Sequence, residues 1–183
     1  MRHARTTLLA LSLLALTTAG CESLAPADYD AKFEEQRTVL PRIDGLRVVG
    51  DRIAVSGQPS PDELRELREL GYDTIVNFRT VKEGAEREGE LAERLGFRYV
   101  HLPAKGATVT FADTEQVQAA IDGTNGGVLL HCSTGNRAGM AWALMMHRMD
   151  GLTLDETLAE ARRAGVDKEP VFVAIRRRVE AGR

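Results

Sequence analysis

The residues best suited to chemistry in this chain stand together at His131-Cys132-Ser133-Thr134-Gly135-Asn136-Arg137. The apolar run Val128-Leu129-Leu130 leads into them, and the apolar Met140-Ala141-Trp142-Ala143-Leu144-Met145-Met146 follows. That order reads as a buried strand, a tight loop and a helix. A loop entering a helix in this way aims successive backbone N–H groups at one point, where the helix N-terminus adds partial positive charge. Arg137 supplies a permanently charged, two-pronged donor for an oxyanion. The same field favours a thiolate at Cys132. A thiolate beside an anion cradle suits attack on phosphorus or sulfur in an anionic substrate. A cysteine that is only a small buried hydrophobe, the commonest state of a free thiol, needs no such surroundings. His131, last in the strand, either orients the loop through hydrogen bonds or fills a half-buried position.

The elements that must position this loop belong to a chain long enough for one ordinary domain with its own core. Its net charge is −3 and its charges are of mixed sign. With no basic cluster interleaved with aromatics, nucleic acid is not expected as a partner. Residues 1–20 read as a targeting segment: Arg2, His3 and Arg5 form a basic start, Leu8 to Leu16 an apolar run too short to span a bilayer, and Thr18-Ala19-Gly20-Cys21 a close. That ending resembles a bacterial lipoprotein signal, although Thr18 stands where a larger aliphatic is usual. The resemblance implies lipidation at Cys21 and an exported, periplasm-facing or surface protein held to a membrane by lipid alone. The chain has two cysteines. With Cys21 lipidated, Cys132 is left unpaired in an oxidising compartment, where a reactive role would explain its presence.

Residues 21–44 are polar, contain Pro26 and Pro41, and read as a tether with a short helix near Tyr29 to Val39. Residues 45–183 are the expected domain. Leu46 to Val49 and Ile53 to Ser56 form a hairpin around Gly50-Asp51. Ser60-Pro61-Asp62-Glu63 carries a capping box and a proline at the first helical position, with Leu64, Leu67 and Leu70 facing inward and Gly71 as the stop. Thr74 to Phe78 is a strand, Glu83 to Leu95 a helix, Phe97 to Leu102 a strand and Lys105 to Phe111 a loop. Asp113 begins the next helix. After the helix from Arg137 to Met149, Thr153-Leu154-Asp155-Glu156 caps another, and Pro170 opens a last one. The alternation predicts an α/β fold with a central, mainly parallel sheet flanked by helices. Active sites in such sheets lie beyond the carboxyl ends of strands, where Cys132 falls.

His131 to Arg137 resembles the signature loop of cysteine-dependent protein tyrosine and dual-specificity phosphatases. Ser56-Gly57-Gln58-Pro59-Ser60, the helix ending at Gly71, and Ile75-Val76-Asn77-Phe78-Arg79 resemble a bacterial branch, the tyrosine-phosphatase-like or beta-lactamase-hydrolase-like proteins. The resemblance covers roughly Val48 to Met149. It implies that Cys132 is the nucleophile of a phosphocysteine mechanism and that Arg137 holds phosphate oxygens. It implies further that the loop from His131 through Ser133, Thr134, Gly135 and Asn136 cradles the phosphoryl group, with Arg79 reaching the substrate or forming a surface ion pair. The expected substrate is a phosphorylated protein or a small phosphate ester, with no cofactor.

Three departures stand out. Four residues separate Cys132 from Arg137 where five are usual, though bacterial members of the branch share the shorter loop. Ala138 replaces a customary Ser or Thr that helps the thiolate leave, a task open to Ser133 or Thr134. The loop Pro103-Ala104-Lys105-Gly106-Ala107-Thr108 lacks the aspartate that serves as general acid, leaving Asp113 as the nearest carboxylate. Asp113-Thr114-Glu115-Gln116 also has the form of a capping box, and Lys105 is a further group able to face the pocket. The short loop also resembles that of rhodaneses, whose cysteine carries a persulfide and needs no general acid, although His131 and the segments Ser56–Ser60 and Asn77–Arg79 fit the phosphatase branch better. A third possibility is a tethered module that binds phosphorylated or sulfated ligands without turnover. Trp142, Met145, Met146 and Met149 read as core packing. No metal is indicated: His3, His101, His131 and His147 are scattered.

Overall fold

The computed structural model describes residues 40–182. The leader, Cys21 and the short helix expected near Tyr29 to Val39 lie outside these residues. Five strands form one sheet in the order β1-β2-β5-β3-β4. They are β1 (Arg47–Gly50), β2 (Ile53–Ser56), β3 (Tyr72–Asn77), β4 (Arg98–His101) and β5 (Gly127–His131). β1 is the antiparallel edge, and every other pairing is parallel. β5 therefore runs through the middle of the sheet, between β2 and β3. All five of its residues are buried, which is why it reads as a continuous apolar run and not as an alternation.

Helices cover both faces. α1 (Pro61–Glu69) and α2 (Ala85–Arg94) lie on one side, where Leu64, Leu67 and Ala92 pack with Ala54, Ile75 and Leu129. α3 (Phe111–Asp122), α4 (Asn136–Asp150), α5 (Leu154–Arg163) and α6 (Glu169–Ala181) lie on the other. There Val117, Met140, Leu144, Leu158 and Ile175 pack with Val55, Val76, Val128 and Leu130. The division follows the period of two along each strand. Trp142 and Met145 belong to this second core, and Met149 is exposed at the helix end.

Local signals account for most element ends. Ser60 and Thr153 cap α1 and α5 with full reciprocal boxes, to Glu63 and Glu156. Three expectations change. The tether does not extend to residue 44, because Ile43 is buried beneath α1 and the Asp44 carbonyl accepts a 2.7 Å bond from Gly57 N–H. α3 begins at Phe111 and not at Asp113, since Thr110 takes the cap and Asp113 is its box partner. The helix expected over Glu83 to Leu95 is split: Val81–Glu83 is a 3₁₀ turn, Gly84 follows at φ 87°, and α2 starts only at Ala85. A left-handed glycine ends one element and starts the next, which frees Glu83 from the helix.

Candidate active site

The segments that follow β2, β3, β4 and β5 meet at one edge of the sheet. Residues 132–135 leave β5, and Gly135, at φ 86°, turns them into α4. That angle is why a glycine stands there. Gly57 allows a second close approach. It bridges Thr134, and a Cβ on it would lie 2.8 Å from the Asp44 carbonyl oxygen. The first intrahelical bond of α4 runs from Gly139 N–H to Gly135 O, 2.8 Å. The N–H groups of the first turn thus have no partner within the helix itself.

Cys132 is buried at the base of this loop as a free thiol. Arg137, 9% exposed, is held by acceptors from three segments. Its Nη1 donates to the carbonyls of Phe78 (3.0 Å) and Ala104 (2.8 Å), at the ends of β3 and β4. Both terminal nitrogens donate to Glu83, Nη1 to Oε2 at 2.9 Å and Nη2 to Oε1 at 2.6 Å. Nη2 also donates to Ser133 Oγ (2.9 Å), which donates in turn to Glu83 Oε1 (2.7 Å). Glu83 Oε2 closes its own turn by accepting from Thr80 N–H and Oγ1, both at 2.8 Å. The bond from Arg137 holds the Glu83 carboxyl well below the usual carboxylate range, so it stays ionised. Burial works against the Arg137 charge, but Glu83 and the neighbouring Cys132 outweigh it.

Behind the loop lies a second cluster, on the α1–α2 face. His131 is wholly buried, with Nε2 2.7 Å from Glu88 Oε1. Glu88 also accepts from Asn77 Nδ2 (2.9 Å) and Arg79 Nη1 (3.2 Å), and from Gln58 Nε2. Arg79 further donates to Gln58 Oε1. Burial pushes the Glu88 carboxyl upward, but His131, Gln58 and Arg79 together hold it below its ordinary range.

The expected site residues therefore divide. Cys132, Ser133, Thr134, Gly135 and Arg137 gather at one point. Asn136 is at the same loop, but its side chain is committed elsewhere: Nδ2 donates to Asp167 Oδ1 (2.9 Å) and Oδ1 accepts from the N–H groups of Asp167 and Lys168, both 3.1 Å. It ties the loop to the α5–α6 connection. His131 is wholly buried and lies against Glu88 of α2, the strand's alternation turning it to the opposite side from Cys132. Arg79 is ion-paired to Glu88. Asp113 caps α3, accepting from Thr110 N–H (2.7 Å) and Oγ1 (2.8 Å), and does not line the cavity beside the loop. That cavity, of about 410 Å³, is lined by Arg137, Thr134, Asn136, Glu83 and Thr80 with Lys82, Lys105 and Lys168.

Sequence reasoning missed Glu83 and Glu88. Glu83 does complete the Thr80-x-x-Glu83 box, a signal that places it at the head of a turn. Glu88 is the one carboxylate on the inward face of α2, among Ala85, Gly89 and Ala92, and a buried acid in that position asks for a partner. Among the described residues no cluster has the makings of a metal site, and no helix is long and apolar enough to cross a membrane.

A beta-lactamase hydrolase-like protein of Xylella fastidiosa is 40% identical over 101 residues, 52% of this chain and 23% of that protein. The chain thus spans under a quarter of that relative's length. Among solved structures, P. aeruginosa TpbA superposes with a TM-score of 0.60 at 23% identity, covering 75% of this chain and 84% of that one. TpbA has also been solved as a cysteine-to-serine variant in complex with phosphotyrosine. Tk-PTP in its active form gives a TM-score of 0.62 at 22% identity, over 75% of this chain and 97% of the other. The fold is that of the cysteine phosphatases. The profile of the beta-lactamase hydrolase-like protein, phosphatase-like domain, matches residues 45–148, from the first strand to the helix that carries Arg137, and the chain belongs to that family.

Proposed function

We propose that this protein hydrolyses phosphate monoesters through a phosphocysteine on Cys132. The observation that carries this reading is the placing of Cys132, the N-terminal turn of α4 and the anchored guanidinium of Arg137 at one end of β5. The Cys132 thiolate attacks phosphorus and the ester oxygen departs. Arg137 and the loop N–H groups hold the developing charge, and water then releases phosphate. The complex of TpbA with phosphotyrosine supports a phosphorylated substrate, phosphotyrosine among the candidates. Glu83 is a positioning residue: by taking both terminal nitrogens it fixes the guanidinium plane beside Cys132.

The test is turnover of an aryl phosphate by the purified protein. Cys132→Ser is expected to abolish it. Arg137→Lys is expected to lose roughly a hundredfold or more in kcat, because a point charge reproduces neither the fork nor the carbonyl anchors. Full activity in both variants overturns the mechanism. Failure to release phosphate, with a persulfide on Cys132 after exposure to thiosulfate, would assign the loop to sulfur transfer instead.

We propose also that the chain is exported and lipid-anchored through Cys21, as the segment Thr18-Ala19-Gly20-Cys21 suggests. Incorporation of labelled fatty acid that disappears in Cys21→Ala would support this; equal labelling, or none, would overturn it.

A further inference from the structure

The cavity beside the loop is strongly cationic in a chain whose net charge is −3. Lys82, Lys105, Lys168 and Arg137 line it, with Glu83 as its only carboxylate. The three lysines come from three separate segments: the 3₁₀ turn after β3, the loop after β4, and the residue that caps α6. All three are exposed, and no described carboxylate forms an ion pair with any of them. The nearest acid on the α5–α6 connection, Asp167, is bound to Asn136 Nδ2.

Hydrolysis of an alkyl or protein ester expels an alkoxide or phenoxide, which needs a proton donor within reach. No imidazole lines the cavity, and Asp113 is spent on Thr110. Glu83 is locked between both terminal nitrogens of Arg137 and Ser133 Oγ, so it stays ionised and has no proton to give. The site thus has no described carboxylic acid or imidazole for a basic leaving group, but it has three positive charges for an acidic, highly charged one.

From this pairing we propose that the substrates handled best are phosphoanhydrides, compounds in which the group leaving from the attacked phosphorus is itself a phosphate. This inference rests on Cys132 being the nucleophile. The thiolate forms the S–P bond to the terminal phosphorus. The bond from that phosphorus to the bridging oxygen breaks, and its electron pair stays on the departing phosphate or diphosphate, an anion far less basic than an alkoxide, which takes any proton it needs from bulk water. Lys82, Lys105 and Lys168 hold that departing group. Water then attacks the phosphocysteine, the S–P bond breaks, and dihydrogen phosphate and the thiolate are the products, so both atoms and charge balance.

The experiment compares kcat/KM of the purified protein on inorganic tripolyphosphate, on para-nitrophenyl phosphate and on ethyl phosphate. Tripolyphosphate is expected to exceed ethyl phosphate by roughly a hundredfold or more, the usual worth of a missing general acid. Both active substrates should depend on Cys132. The triple variant K82Q/K105Q/K168Q should lower the ratio of tripolyphosphate to aryl phosphate turnover by roughly tenfold, since three exposed charge contacts are removed. Aryl phosphate turnover without tripolyphosphate turnover overturns this inference and leaves the phosphatase reading standing. So does ethyl phosphate turning over as fast as tripolyphosphate, or a ratio unchanged in the triple variant. Failure on all three substrates removes the nucleophile reading itself, and this inference with it.

Discussion

Glu83 holds the most informative side chain after the nucleophile and its arginine. Its carboxylate gives Arg137 a fixed plane, and Arg137 in turn keeps it ionised. Glu83→Gln keeps the shape but removes the charge, so the guanidinium loses its strongest anchor. The variant should lower kcat on an aryl phosphate by roughly tenfold, with Ser133→Ala a milder version. The linkage has a definite sign. A carboxyl whose folded pKa is depressed contributes stability that is full above its unfolded pKa, about 4.3, and is lost as pH falls through the folded value. Urea unfolding should therefore separate wild type from Glu83→Gln at pH 7 and bring them together in strong acid. A gap that is the same at both pH values would contradict the ion pair. Glu88 makes a stronger demand, being buried among His131, Asn77 and Arg79. Glu88→Ala leaves those partners uncompensated and should cost roughly 3–5 kcal/mol in a denaturation experiment. Cys132 and Arg137 were legible in the sequence because they are close neighbours in one register. Glu83 was not, since it meets Arg137 across 54 residues of sequence and no local pattern announces that contact.

At the scale of the elements, short polar motifs decide where the site residues sit. Ser60-x-x-Glu63 and Thr153-x-x-Glu156 were legible because a single register was available and an apolar face followed. Around α3 two registers competed, Thr110 to Asp113 and Asp113 to Gln116. The threonine wins: its hydroxyl accepts from Asp113 N–H at 3.3 Å while Asp113 answers back, which satisfies two orphan donors at once. Thr110→Ala should cost about 1 kcal/mol, measurable as a lowered denaturation midpoint. The same preference withdraws Asp113 from chemistry, so Asp113→Asn is expected to leave aryl phosphate kcat within about twofold, a general acid being worth far more. The break at Gly84 was hidden for a different reason. Glycine inside a charged, helix-forming stretch looks tolerable until its left-handed angle is seen. Gly135→Ala carries the equivalent risk at the loop itself, where a Cβ at positive φ costs roughly 1–2 kcal/mol and would distort the cradle.

Across the whole molecule, topology explains why chemistry gathers at one edge. β2, β3, β4 and β5 run parallel, so the segments leaving their carboxyl ends are brought together. Those segments supply Gln58, Glu83, Lys105 and Cys132 respectively, in one neighbourhood. The α/β class was legible from the alternation of elements. The order β1-β2-β5-β3-β4 was not, because continuous apolar runs such as Val128-Leu129-Leu130 say that a strand is buried and not which strands flank it. The distribution of charge was similarly hidden. Lysines far apart in the chain surround the loop, although the sequence as a whole is mildly acidic. The central claim is that Cys132 forms the bond to phosphorus. Acid-quenching the protein during aryl phosphate turnover and mapping its peptides by mass spectrometry tests that bond itself. The account predicts a phosphoryl group on the peptide containing Cys132, absent in Cys132→Ser. Steady turnover with no such adduct, undiminished in the serine variant, would contradict it.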